Sequence, residues 1–201
     1  MAAKKGFLLV VSGPSGVGKG TVCDALLKSY PQLKYSISVT TRTKRPQEED
    51  GVNYYFKTQE AFETMIHEGG LLEYARVHGN FYGTPKDFVL QHIEKGETVI
   101  LEIDVQGALQ VKQNHPEAVF VFLIPPDMEE LRRRIVTRGT ETQDVIELRM
   151  RNALNEISYI HKYDYIVINN DVEDAAEQIY TIIRAERMRV INNPNIEDSL
   201  R

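Results

Sequence analysis

Phe7-Leu-Leu-Val-Val11, running through Ser12 into Gly13-Pro-Ser-Gly-Val-Gly-Lys-Gly-Thr21, constrains this chain more than any other stretch. Five apolar residues cut off by glycines read as a buried strand, and a helical pattern follows from about Lys19 to Ser29. Gly13, Pro14, Ser15, Gly16, Val17, Gly18 and Lys19 have the glycine spacing of a phosphate-binding loop through its lysine. They also stand where such a loop must stand, between a strand and a helix. Glycines let successive N–H groups turn inward around phosphate oxygens, the helix N-terminus adds positive potential, and Lys19 can bridge the outer phosphates. Gly20 replaces the usual serine or threonine, so the common magnesium-ligating hydroxyl is missing. Thr21 lies one position on, roughly 100° around the helix, and need not take over direct ligation. Magnesium is then expected to be held mainly by phosphates and water, with Thr21 as one possible side-chain contact.

Three more apolar runs, Val99–Asp104, Val119–Ile124 and Tyr165–Ile168, repeat the buried-strand pattern ahead of helical stretches. Strands alternating with helices predict a parallel sheet flanked by helices, with ligands at the carboxyl ends of the strands. Asp127, with Glu130 three residues later, signals a helix start, so Leu131–Arg138 reads as helical with Arg132, Arg133 and Arg134 fanned around it. Val172, Ala175, Ala176, Ile179, Ile182 and Ile183 give the last helix one apolar stripe for the core. Residues 35–92 break the rhythm: Ser36–Thr40, Tyr54–Phe56 and Leu71–Val77 read as short strands around a helix near Ala61–His67. This segment is read as an inserted mixed lobe, with 1–34 and 93–201 forming the core.

With 201 residues, the chain suits one domain carrying small inserted lobes. A net charge of -5 speaks against a nucleic-acid partner, because such binding needs a basic face. Its apolar runs are too short to span a bilayer and no signal-peptide cleavage site follows the first, so a cytoplasmic protein without membrane contact is expected. The single cysteine, Cys23, is expected to pack in the helix after the loop. His67, His78, His92, His115 and His161 show no metal-ligand spacing, and no zinc site is expected.

A phosphate loop alone does not name an acceptor. Ser38-Val-Thr-Thr-Arg42-Thr-Lys-Arg45-Pro-Gln-Glu48, then Gly51, Tyr54 and Phe56, gathers guanidinium forks and phenol hydroxyls in a short span. This stretch resembles the GMP-binding lobe of guanylate kinases. The resemblance continues in order through Glu73-Tyr-Ala, Gly79-Asn-Phe-Tyr82-Gly-Thr84, Leu101-Glu-Ile-Asp-Val-Gln-Gly107, Arg134 and Arg138-Gly-Thr-Glu-Thr142, and is strongest to bacterial enzymes. It implies a P-loop nucleoside monophosphate kinase fold, ATP and GMP as substrates with dGMP as a companion acceptor, and Mg²⁺. Arg42, Arg45, Tyr54 and Tyr82 would hold the GMP phosphate, with Glu48 supporting the arginines. Ser38, Glu73 and Thr84, with Glu102 or Asp104, would read guanine. Arg134, Arg138 and Arg149 would reach the transferring phosphate from a lid at about 138–150, and Asn169 would help hold adenine.

Residue chemistry points the same way. Guanine offers two adjacent donors that one carboxylate such as Glu73 can accept together, and its carbonyl oxygen needs a donor such as the Ser38 hydroxyl. Adenine leaves those groups unpaired, and a buried polar site can reject such a mismatch by roughly 10⁴-fold. Glu102 and Asp104, two apart on a strand, are expected to face the same way near the phosphate loop; Asp104 could organise magnesium-bound water or touch the acceptor base. No catalytic base is needed, because a nucleotide phosphate is largely ionised at neutral pH. Guanylate-kinase-like scaffold domains, which bind partners without catalysis, typically have an impaired loop or lid; here Lys19, Arg134, Arg138 and Arg149 are all present.

Overall fold

The computed structural model describes residues 5–77, 79–137, 143–194 and 196–197. In chain order the elements begin with β1 (Phe7–Ser12), α1 (Lys19–Ser29), β2 (Lys34–Tyr35), β3 (Val39–Thr40), β4 (Tyr55–Phe56) and α2 (Gln59–His67). They continue with β5 (Leu71–Val77), β6 (Asn80–Pro85), α3 (Lys86–Glu94), β7 (Thr98–Glu102), α4 (Val105–Asn114) and β8 (Val119–Ile124). Helices α5 (Met128–Val136) and α6 (Gln143–Ile157), strand β9 (Tyr165–Ile168) and α7 (Val172–Met188) complete the order.

The first sheet is parallel throughout, in the order β2-β7-β1-β8-β9. Every residue of β1 is buried, because strands flank it on both edges and helices cover both faces. Alternation along it divides the core in two. Phe7, Leu9 and Val11 face Val22, Cys23 and Leu26 of α1 with Ile179 and Ile183 of α7. Leu8 and Val10 face Val89 of α3 with Ala108 and Val111 of α4. The strand order reverses at β1, whose neighbours β7 and β8 both follow it in sequence, and α/β folds bind ligands at such a switch point. The parallel sheet expected from sequence is therefore present, with the phosphate loop at its switch point. Among the described residues no helix is long and apolar enough to cross a membrane.

Residues 39–85 build a second sheet, β4-β3-β6-β5, with antiparallel pairing of β6 to both β3 and β5 and parallel pairing of β3 to β4. Phe62 of α2 is fully buried and stacks on Phe81, fixing that helix to the sheet. Three expectations need correction. The strand expected over Ser36–Thr40 is confined to Val39–Thr40, with β2 already ended at Tyr35 in the other sheet, so Ser36–Ser38 is the connection between the sheets. The strand expected over Tyr54–Phe56 begins at Tyr55. The strand expected to reach Asp104 ends at Glu102, since Asp104 is the N-cap of α4 and its Oδ1 accepts from the Gly107 N–H at 2.8 Å. A carboxylate three residues before a free helix N–H caps it better than it pairs in a ladder.

Candidate active site

The phosphate loop is held by its own backbone and by side chains from β9's end, α5 and α6. Gly16 and Gly18 have φ of 89° and 95°, a left-handed conformation that side-chain-bearing residues rarely adopt. A Cβ on Gly18 would also stand 2.7 Å from Asn169 Nδ2. Lys19 folds back over the loop, its Nζ donating to the Gly13 carbonyl at 2.7 Å and the Pro14 carbonyl at 3.3 Å. Burial pulls its ammonium below the ordinary lysine range, while Glu102, Glu156 and Asp104 oppose that shift. The Gly20 position faces the Glu102 carboxylate, with an added Cβ 3.5 Å from Oε2, so an acidic group borders the place of the usual loop hydroxyl. Thr21 is exposed at the cleft edge.

Asn169 and Arg134, expected at the nucleotide, both bond to the loop. Buried Asn169 donates through Nδ2 to the Val17 carbonyl at 2.7 Å. Arg134 donates to Glu130 Oε1 at 2.7 Å, to the Val17 carbonyl at 3.1 Å and to the Asn169 carbonyl at 2.9 Å, bracing the same turn. Arg149 reaches the loop at Ser15, its Nη2 donating to Oγ at 3.0 Å. Arg138, with the 139–142 stretch of its motif, lies outside the described residues. Asp127 caps α5 as its sequence suggests, accepting from the Glu130 N–H at 2.7 Å, but the Glu130 side chain pairs with Arg133 and Arg134.

On the second sheet, Arg42 and Glu48 form a two-bonded pair at 3.0 and 2.7 Å, and Glu48 Oε2 also accepts from the Arg45 N–H at 2.8 Å. The hydrogen bonds from Arg42 hold the Glu48 carboxyl below its ordinary range. The Arg42 guanidinium lies 5.4 Å from the centre of the Tyr54 ring, and Tyr54 meets Tyr82 edge-on. Glu73, only 5% exposed, accepts at Oε1 from the Thr84 hydroxyl at 2.7 Å. Burial pushes its carboxyl up to about 7, partly opposed by the Thr84 bond. Thr84 is fully buried beside it.

These groups share one cleft of about 340 Å³, in which Ser38, Arg42, Arg45, Tyr54, Glu73 and Tyr82 lie across from Ser15 and Lys19. A larger cleft of about 840 Å³ runs along the phosphate loop to α6. Ser15, Lys19, Glu102 and Asp104 line both, so the two clefts meet at the loop lysine. Two anionic ligands, one in each cleft, would meet end to end beside Lys19.

Several residues escaped the sequence reading. Tyr35 donates its hydroxyl to Glu102 Oε2 at 3.0 Å, and burial raises both their pKa values. Gly107 gives room to the Glu73 carboxylate: an added Cβ would lie 2.5 Å from its Oε2. Glu156 and Asn152 line the loop cleft beside Arg149, which the sequence singles out, on the same helix. Their spacing of three, four and seven was the available signal, since it repeats one helix face.

For a metal ion, the described residues contain no group of three or more histidine, cysteine, aspartate or glutamate side chains able to hold one. Asp104 is engaged as a helix cap and Glu102 by Tyr35, leaving Thr21 exposed nearby. That donor set fits an ion brought in on phosphates, with Thr21 and Asp104 reaching it at most through its water shell.

A family model described as guanylate kinase matches residues 5–186. Curated relatives named guanylate kinase include one from Caldanaerobacter subterraneus subsp. tengcongensis, 53% identical over 96% of this chain and 94% of its own length. Another, from Clostridium acetobutylicum, is 53% identical over 98% of this chain and 94% of its own. Among solved structures, guanylate kinase from Anaplasma phagocytophilum superposes with a TM-score of 0.81 at 38% identity, covering 96% of this chain and 92% of that one.

Proposed function

The chain belongs to the guanylate kinase family and transfers the γ-phosphate of ATP to GMP, giving ADP and GDP; we propose that GMP occupies the smaller cleft and ATP the larger. The meeting of the two clefts at Lys19 is the observation that carries this assignment. GMP enters with its phosphate among Arg42, Arg45, Tyr54 and Tyr82 and its base against Glu73 and Ser38. The ATP phosphates lie along the loop amides of Gly16–Gly20, with Lys19 on the outer phosphates. An oxygen of the GMP phosphate forms the new bond to the γ-phosphorus as the bond to the β-phosphate oxygen breaks, and ADP leaves. The attacking oxygen carries no proton to remove at neutral pH, so catalysis lies in alignment and charge neutralisation. Thr21 and Asp104 are the side chains that would meet the water shell of a phosphate-bound Mg²⁺, which would supply positive charge to the phosphates. Within residues 35–92, read from sequence as an inserted lobe, the second sheet over 39–85 carries the acceptor residues of this scheme; residues 1–34 and 93–201 are its core, and the region about 138–150 its lid.

In this scheme Arg42 meets the acceptor phosphate already held flat by Glu48, so little side-chain entropy remains to be lost on binding. Arg134 serves the donor site through the Val17 carbonyl and the Asn169 carbonyl it braces, and Asn169 through its bond to Val17.

Base choice is the sharpest test. Glu73→Gln replaces an acceptor by an amide that turns N–H toward a guanine donor or loses one of two bonds, costing about 1 to 3 kcal/mol. GMP kcat/KM is expected to fall about 5- to 150-fold by the same arithmetic, with AMP efficiency unchanged. Steady-state kinetics on both nucleotides, with thermal melting as a folding control, decide it. Equal losses for the two nucleotides in a folded variant would remove Glu73 from base reading.

A further inference from the structure

Ser15 is gripped twice by one helix. Its backbone N–H donates to Glu156 Oε2 at 3.0 Å, and its hydroxyl accepts from Arg149 at 3.0 Å. Residues 149 and 156 are seven apart on α6, two turns, and so share a face. Elsewhere on the helix, Ile146 and Ala153 pack in a buried cluster with Leu131 and Ile135 of α5. The helix is thus fixed by an apolar stripe on α5 and joined to the phosphate loop at Ser15.

Glu156 is a poor candidate for nucleotide binding. It lines the larger cleft, its charge reaches Lys19, and a carboxylate beside a bound triphosphate opposes binding by repulsion. What it does supply is geometry. By holding the Ser15 amide it fixes the distance between the loop and the helix that carries Arg149.

We propose that Glu156 is a positioning residue for phosphoryl transfer: its bond to the Ser15 N–H registers α6 against the phosphate loop and so places Arg149 at the transferring phosphate. This rests on the assignment of ATP to the loop cleft. Misplacing a cationic group by a fraction of its reach costs transition-state stabilisation while leaving ground-state affinity nearly untouched.

The signature is a split between kcat and nucleotide affinity. Glu156→Ala is expected to lower kcat about tenfold, while the ATP Kd stays the same or falls because a nearby repulsive charge is gone. Glu156→Gln keeps an acceptor oxygen for the Ser15 amide and is expected to recover most of the lost kcat. A mutant cycle with Arg149→Ala tests the route. If Glu156 acts through Arg149, the double variant turns over at the rate of Arg149→Ala alone. A multiplicative loss in the double variant would overturn the proposal. So would a rise in ATP Kd matching the fall in kcat, or a Glu156→Ala enzyme with normal kcat. Loss of detectable ATP binding by the wild-type protein at the loop, or a normal Lys19→Ala enzyme, would instead overturn the loop assignment beneath it.

Discussion

The two clefts that meet at Lys19 are built in opposite ways. The donor side is a contiguous run, residues 13–21, shaped by glycine conformations and backbone carbonyls, with Asn169, Arg134 and Glu156 clasping it from outside. The acceptor side is assembled from five separated stretches: Ser38–Glu48, Tyr54, Glu73, Tyr82–Thr84 and the Glu102–Gly107 turn. A phosphate needs only converging N–H groups and a cation, which one turn of chain provides. A purine base needs donors and acceptors in a fixed pattern on a buried surface, which only several elements together provide. Faults in the first site should therefore be severe and indifferent to the acceptor base; faults in the second should be graded and base-selective.

The largest effect falls on the donor side. Lys19→Ala removes the cation at the seam of both clefts and is expected to lower kcat by about 10²-fold or more. GMP affinity, measured by calorimetry without ATP, should stay near that of the wild type. Near-normal turnover would break the comparison at its firmer end.

A smaller, base-selective effect is expected at Gly107. Gly107→Ala places a methyl 2.5 Å from Glu73 Oε2, and the carboxylate or the start of α4 must move. Overpacking of this kind costs about 1 to 3 kcal/mol, so GMP kcat/KM should fall roughly tenfold with ATP affinity unchanged. An equal loss of ATP affinity would show that the two sites are not separable.

The smallest effect concerns stability. The Glu73 carboxyl has an ordinary value of 4.5 and, when folded without ligand, about 7. Between those values the folded protein holds a proton that the unfolded chain has released, so stability is full below the lower value and falls as pH rises through the window. Glu73→Gln keeps an oxygen to accept the Thr84 hydroxyl and has nothing to ionise. Its ligand-free form should melt a few degrees above the wild type at pH 8, on the order of 2 kcal/mol, and the gap should close by pH 4. A gap independent of pH would mean that Glu73 does not carry this cost. The same burial that strains the ligand-free site strengthens its hydrogen bonds to a base once one arrives.

The sequence by itself determined the sheet, the loop and the kind of chemistry. Uninterrupted apolar runs can only be strands buried on both faces, and the glycine spacing before Lys19 leaves the chain one tight turn to make. It also pointed to the residues proposed for the acceptor, because Arg42, Arg45, Glu48, Glu73 and Tyr82 stand in recognisable stretches. Which of them touch each other was left to the tertiary structure. Asp104 read as a strand residue beside Glu102 and became a helix cap, since capping depends on where β7 stops and α4 starts. Thr84 read as a contact to the base and bonds to Glu73; Arg134 and Asn169 read as contacts to nucleotide and brace the loop. Tyr35 gave no local signal, Gly107 only its place in the Leu101–Gly107 stretch and Glu156 only a shared helix face, because their partners lie 67, 34 and 141 residues away. Local sequence fixes the conformations a segment can adopt through sterics and hydrophobic periodicity, whereas side-chain hydrogen bonds join whichever groups the packed core brings within about 3 Å.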